Sequence, residues 1–131
     1  MKFYVAGRFS HEPSRLLIQE MIATLTQLGH ECTFNWTTGP SCKPYEDNTA
    51  LTQEMTVKAV NAVLDADLFI MVSHPEGTGM YVEYGIALGK QQKSGVPKMY
   101  LTGEYKNCSM FNYHPNVIWK NSLDEILKDL K

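Results

Sequence analysis

The residue best suited to covalent chemistry in this chain is Glu83. It lies in Gly77-Thr78-Gly79-Met80-Tyr81-Val82-Glu83-Tyr84-Gly85-Ile86-Ala87-Leu88-Gly89, which follows the apolar run Leu68–Val72, opens with two glycines and continues as a helical pattern. In an open α/β sheet, the loop leaving a strand's carboxyl end is the ligand position, because the next helix points free N–H groups at the crevice. A carboxylate in or just after the first helical turn suits attack at an anomeric carbon, whose oxocarbenium-like transition state is stabilised by adjacent negative charge. It is also explained by the helix macrodipole alone, which favours an acid there by roughly 0.3–1 kcal/mol.

Other residues at the same sheet edge offer contacts to a phosphate or a sugar hydroxyl. These are the amides of Gly77 and Gly79, the Thr78 hydroxyl, and Gly7, Arg8 and Ser10 beyond the first strand. The glycines fit a plain tight turn equally well. His74 is either a general acid–base or a solvated turn residue beside Pro75. Trp36 stacks on a base or ring, or is partly buried in the core. Tyr4, inside the first strand, packs in the core with its hydroxyl reaching the sheet edge. Asp65 and Asp67 bracket a helix-to-strand turn and read as structural.

Several chemistries are excluded. Gly77-Thr78-Gly79 lacks the lysine and length of a P-loop and the third glycine of a dinucleotide fingerprint, and it follows the third strand. ATP hydrolysis and nicotinamide redox chemistry are therefore discounted. His11, His30, His74 and His114 show no metal-ligand spacing, and the three cysteines read as free thiols, so neither metal nor cofactor is expected.

The elements that must position these residues follow from periodicity. Strands are expected at Lys2–Ala6, Glu31–Trp36, Asp67–Val72, Pro97–Leu101 and Asn116–Trp119. Helices are expected at Arg15–Leu28, with Glu12 or Ser14 as cap, at Thr49–Leu64, at Met80–Gln92, and after a Ser122 cap. Residues 37–48 and 102–115 are loops, the first long enough to suggest function or mobility. This alternation predicts an α/β fold: a doubly wound parallel sheet of about five strands in a three-layer α/β/α arrangement, one domain over residues 1–131. A net charge of −2 and a pI near 6.1 argue against a nucleic acid polymer or a membrane surface as partner. No apolar run approaches the ~20 residues of a membrane span, and the first residues are too short an apolar stretch for a signal peptide, so a cytoplasmic protein is expected.

Phe3-Tyr4-Val5-Ala6-Gly7, the Ala66-Asp67-Leu68 turn and above all Gly77-x-Gly79-Met80-x-x-Glu83-x-Gly85-x-Ala87 resemble the nucleoside 2-deoxyribosyltransferase family. That family includes the deoxynucleoside 5′-monophosphate N-hydrolases. The resemblance implies a flavodoxin-like sheet and a small-molecule nucleoside or nucleotide substrate. It implies that Glu83 attacks C1′ of the deoxyribose, and that the resulting glycosyl ester passes to another base or to water. Tyr4 matches a tyrosine that orients the nucleophile. Asn107, with Ser109 as competitor, matches a residue donated across a homodimer interface into a shared active site. The Arg8–Ser10 loop resembles the hydrolases' phosphate loop. One departure stands out: Ala59 occupies the position of a family aspartate that handles the base, leaving His74 or Glu76 to take over. Two other readings compete. One is an NAD-cleaving hydrolase of the Toll/interleukin-receptor-like kind; the other is a non-catalytic nucleotide-binding module.

Overall fold

The computed structural model describes residues 1–131. Its strands are β1 (Lys2–Ala6), β2 (Glu31–Cys32), β3 (Leu68–Val72), β4 (Lys98–Thr102) and β5 (Val117–Trp119); its helices are α1 (Glu12–Gln27), α2 (Thr49–Asp65), α3 (Thr78–Ser94) and α4 (Leu123–Leu130). The strands form one parallel sheet in the order β2-β1-β3-β4-β5. This is the flavodoxin-like order, and its topological switch point falls between β1 and β3. The expected architecture is thus the observed one.

Strand alternation splits the apolar residues into two cores. Tyr4, Ala6, Phe69, Met71, Met99 and Leu101 face α2 and α3, where Ala62, Val63, Met80, Tyr84 and Ala87 meet them. Phe3, Val5, Leu68, Ile70, Val72 and Tyr100 face the other way, against Ile18, Met21, Ile22 and Leu25 of α1 and Ile126 of α4. β3 is buried at every position, as a central parallel strand covered on both faces must be. Asp65 and Asp67 act structurally: Asp65 pairs with Lys2 at 3.1 Å, and Asp67 accepts the Lys2 N–H at 3.1 Å.

Most boundaries fall within a residue of expectation, and three elements, β2, α1 and α3, differ by more. β2 stops at Cys32, not at Trp36, so Trp36 belongs to the following loop. Thr33 still donates to the Phe3 carbonyl, but the Asn35 side chain then accepts from both the Thr37 amide (3.1 Å) and its hydroxyl (2.5 Å) and turns the chain away. The Val5 carbonyl accepts the Trp36 indole N–H at 2.7 Å instead of a ladder bond. α1 begins at Glu12, capped by neither Glu12 nor Ser14 but by His11, whose ring accepts the Ser14 amide at 3.3 Å. α3 begins at Thr78, with Gly77 as its N-cap, and ends at Gly95 in the left-handed conformation (φ 82°). The β4–β5 connection carries only a short 3-10 turn, Met110–Tyr113, in place of a crossover helix. No helix is long and apolar enough to cross a membrane.

Candidate active site

The early start of α3 puts Glu83 in the second helical turn, beyond the strongest pull of the helix terminus. The macrodipole therefore explains it poorly. Tyr4 explains its setting better. The Tyr4 ring is 1% exposed and lies parallel to Phe69, with centroids 6.1 Å apart. Its hydroxyl reaches out of the core and donates to Glu83 Oε2. Desolvation pushes the Glu83 carboxyl up from 4.5 to about 7, against the Tyr4 hydrogen bond, which favours the ionised form. Burial and the nearby Glu83 charge push the Tyr4 phenol well above 10. Tyr4 is therefore a fixed donor, and Glu83 is an acid poised between its two forms near neutral pH.

The loop after β1 leaves the strand that carries Tyr4, on the β1 side of the switch point. Gly7 is there for packing: a Cβ would sit 2.3 Å from Ile18 Cδ1, in the fully buried core. Arg8 Nη1 pairs with Glu76 Oε2 at 3.0 Å, joining two of the sequence-predicted site residues. Ser10 is exposed and accepts from Lys43 Nζ at 3.5 Å. Phe9 tilts against Trp36, with centroids 6.1 Å apart, and carries the Arg15 guanidinium 5.6 Å from its ring centre. Trp36 is half-buried, fixed by its indole bond to β1, with Phe9 on one side.

The loop after β3 departs from expectation at two places. His74 is 6% exposed, not a solvated turn residue. Its ring lies between those of His11 (4.5 Å) and Tyr105 (4.9 Å), and its Nδ1 accepts the Glu76 amide at 3.1 Å. Burial holds its pKa below the usual histidine value; His11 and Arg8 push the same way and Glu76 opposes them. Gly77 also has a packing reason, since a Cβ there would lie 2.6 Å from the sulfur of buried Met80. Gly79 and Thr78 are exposed, and a Cβ on Gly79 would meet nothing within 4 Å, so that approach to the backbone is open.

Asn107 and Ser109 lie on the β4–β5 loop and turn to local tasks. Asn107 accepts from the Tyr113 hydroxyl, and Ser109 caps the 3-10 turn by accepting the Phe111 amide at 3.2 Å. Within one chain, Asn107 makes no hydrogen bond to β1 or α3. Buried Asn112 organises this loop. It accepts from the Tyr81 hydroxyl at 2.9 Å and donates to the Lys106 carbonyl at 3.0 Å and to Ser73 Oγ at 3.5 Å. The Tyr84 hydroxyl binds the Phe111 carbonyl, tying the loop to α3.

Phe9, Lys43 and Asn112 escaped the sequence reading. Phe9 was detectable as the one apolar residue inside the polar loop Gly7–Ser14, and Lys43 as a cation in an unusually long loop. Asn112 gave no signal among the polar residues around it. Two open concavities, of about 540 and 580 Å³, lie elsewhere. The first runs beside β2 and the second half of α2, and the second along the amino ends of β3 and β4; neither contains the Tyr4–Glu83 pair.

No protein-family model matches the chain, and no curated protein matches it either. Its backbone is similar to that of a solved Clostridium botulinum CMP N-glycosidase, BcmB. The TM-score is 0.61 over 99% of this chain and 98% of that one, at 20% sequence identity. The two chains share a fold end to end. In that fold, Tyr4 is the middle residue of β1 and its hydroxyl meets Glu83 in the second turn of α3, the helix that follows the carboxyl end of β3 beside the switch point, the end at which open α/β sheets take their ligands.

Proposed function

We propose that the protein cleaves the N-glycosidic bond of a nucleoside 5′-monophosphate, preferring the 2′-deoxy sugar, with Glu83 as nucleophile. The observation that carries this reading is a carboxylate desolvated at the ligand edge of the sheet and held by a single buried tyrosine donor. The likeness in fold to a CMP N-glycosidase supports the same class of bond. In the first step a Glu83 oxygen bonds to C1′ as the C1′–N bond breaks, and the bonding pair leaves with the base, which takes up a proton. In the second step water attacks C1′, its oxygen stays on the sugar, one proton is released, and the Glu83 carboxylate is regenerated. A second base in place of water gives transfer. Tyr4 keeps the attacking carboxylate in one orientation and favours its ionised form.

Arg8 and Ser10, with Lys43 beside them, suit the 5′-phosphate, and the ring of Trp36 beside Phe9 suits the sugar or base. The amides of the Gly77-Thr78-Gly79 turn add donors next to the sugar. Asn107 would serve a second copy of the chain. Beside it the loop exposes Met110 (80%), Phe111 (55%) and Tyr113 (61%), and α3 exposes Val82 (63%), an apolar group that a homodimer would cover.

The test is to incubate the protein with deoxynucleotides, ribonucleotides including CMP, nucleosides and NAD, with and without an acceptor base, and to measure free base. Release from a monophosphate without acceptor is the expected result; exchange only with acceptor assigns a transferase. Release of nicotinamide alone, or of nothing, overturns the proposal.

A further inference from the structure

His74 is not used by the reaction above, yet it is one of the few buried titratable side chains in the protein. Its surroundings are unusual. The ring contacts His11 from the β1–α1 loop and Tyr105 from the β4–β5 loop, and it emerges from the β3–α3 loop itself. We infer that the His74 imidazole is the positioning residue that locks these three loops into one rim and thereby fixes Arg8 at the mouth of the crevice. This inference rests on the glycosidase reading for its link to substrate, but its structural part does not.

The chain of contacts to Arg8 has two arms. In one, His74 Nδ1 accepts the Glu76 amide at 3.1 Å, and the Glu76 carboxylate pairs with Arg8 at 3.0 Å. In the other, the His74 ring packs on His11, whose own amide donates to the Arg8 carbonyl at 3.3 Å. His11 is held in turn by Ser14, with its Nδ1 2.6 Å from Ser14 Oγ. Arg8 is thus gripped at its guanidinium through Glu76 and at its backbone through His11, and both grips meet at one imidazole. An arginine without them would be a long, freely turning side chain, and ordering it would fall to the substrate.

The accepting role of Nδ1 dictates the protonation state. With Nδ1 taken by an N–H, the imidazole proton sits on Nε2 and the ring is neutral. A second proton has to go on Nδ1, where it meets the Glu76 N–H head-on and breaks the first arm. The groups facing the ring are His11 and Arg8 from the β1–α1 loop, Tyr105 from the β4–β5 loop and Glu76 from its own loop. Only Glu76 favours a cation there. Protonation of His74 therefore loosens the rim and frees Arg8.

Two variants separate the arms. His74→Phe keeps a ring between His11 and Tyr105 but removes the acceptor. His74→Asn places an amide oxygen near the position of Nδ1, keeps the acceptor, and does not titrate. KM and kcat are measured for a nucleoside monophosphate and for the unphosphorylated nucleoside from pH 5 to 8. In parallel, the side-chain NMR signals of Arg8 and His11 are recorded without substrate. For His74→Phe the expected result is a rise in KM of about tenfold for the monophosphate, a smaller fall in kcat, little change for the nucleoside, and an altered Arg8 signal. For His74→Asn, which keeps the Glu76 arm and loses the ring packing, the His11 signal changes, the Arg8 signal stays closer to wild type than in His74→Phe, and the acid-side rise in monophosphate KM attributable to His74 disappears. The ionisation of the phosphate is common to all forms and cancels in the comparison. If His74→Phe fails to fold, His74→Asn carries the test. A folded variant with unchanged Arg8 signal, KM and pH profile overturns the inference. Should wild type cleave no nucleotide, the glycosidase reading fails, while the Arg8 signal still decides whether His74 holds the rim.

Discussion

Replacing Glu83 with glutamine should make the protein more stable while abolishing base release. Glutamine has nearly the same shape and still offers an oxygen to the Tyr4 hydroxyl, but it cannot ionise. In the wild type, desolvation raises the carboxyl from 4.5 to about 7. At 1.36 kcal/mol per pH unit, the ionised form is destabilised by about 3 kcal/mol in the folded protein relative to the unfolded chain. The sign follows from proton binding. Between pH 4.5 and 7 the folded state holds the proton and the unfolded state has released it, so stability falls as pH rises through that window and levels off above it. Glu83→Gln does not lose this contribution. The two proteins should be nearly equal in stability at pH 4. At pH 8 the variant should lead by about 3 kcal/mol, or about 10 °C in melting temperature for a chain of this size.

The measurement is urea unfolding of both proteins at several pH values between 4 and 8. Other titrating groups enter both proteins alike. His74, for example, has a folded value below its unfolded one, and its contribution is lost as pH falls. The difference between variant and wild type therefore isolates Glu83. A difference that does not change with pH, or a wild type that is the more stable at pH 8, means that Glu83 titrates as an ordinary solvated carboxyl, and the reasoning from burial collapses. Under the proposed reaction kcat/KM should also rise with pH around an inflection near 7, because it reports the free enzyme's ionisation and only the ionised form attacks.

Tyr4→Phe removes the one hydrogen bond that lowers the Glu83 pKa, so the acid limb of kcat/KM should move further up, with a stability loss of about 1–2 kcal/mol for the unpaired carboxyl; a pH–rate profile and an unfolding curve check both. Asp129 of α4 accepts from the buried Tyr100 at 2.5 Å and pairs with Lys98 and Lys120, and the Tyr100 bond, ahead of those lysines, depresses its pKa. Its contribution is present above pH 3.8 and lost as pH falls through the lower folded value, so the protection of α4 amides against hydrogen exchange, taken relative to the intrinsic rate at each pH, should fall in acid for wild type, and should be lower throughout without that acid-side fall for Asp129→Asn. Met110→Asp places a charge on the most exposed apolar side chain of the β4–β5 loop, and sedimentation should show the proposed dimer reduced to monomer with a parallel loss of activity; a wild type already monomeric and active removes the shared-site idea.

The central framework was legible because its signals are local. The unbroken apolar run Leu68–Val72 announced a strand buried on both faces, and period-two alternation put Tyr4 on one face of β1, with its hydroxyl toward the sheet edge. Ser122 caps the last helix as its position implied. What was lost depended on contacts between distant segments. Cys32, Phe34 and Trp36 alternate like a strand, but Asn35 and Thr37 bond to each other and the Trp36 indole takes the carbonyl that a longer β2 would have used. The burial of His74 is decided by rings from two other loops, which no window of sequence contains. Gly7 and Gly77 were visible as glycines, yet the reasons for them, Ile18 and Met80, come from how helices sit on the sheet.

The energetic feature of the site is that the burial which makes Glu83 a poor acid suits it to the proposed step. An ionised carboxylate in this setting lacks about 3 kcal/mol of solvation that it would have in water. It regains stabilisation when a positive charge develops beside it, as at the anomeric carbon of an oxocarbenium-like transition state. A difference of that size, if fully realised, corresponds to about a hundredfold in rate. The fixed Tyr4 donor keeps enough of the acid ionised near pH 7 for the step to occur. Ala59 fits the same logic. It places no second carboxylate on α2 to share the positive charge, and Glu76, the nearest alternative by sequence, is already paired with Arg8. With His74 held neutral by its own hydrogen bond, Glu83 is the acid here whose ionisation is poised near neutral pH, and the proposed reaction would draw the leaving base's proton from solvent or from the substrate itself.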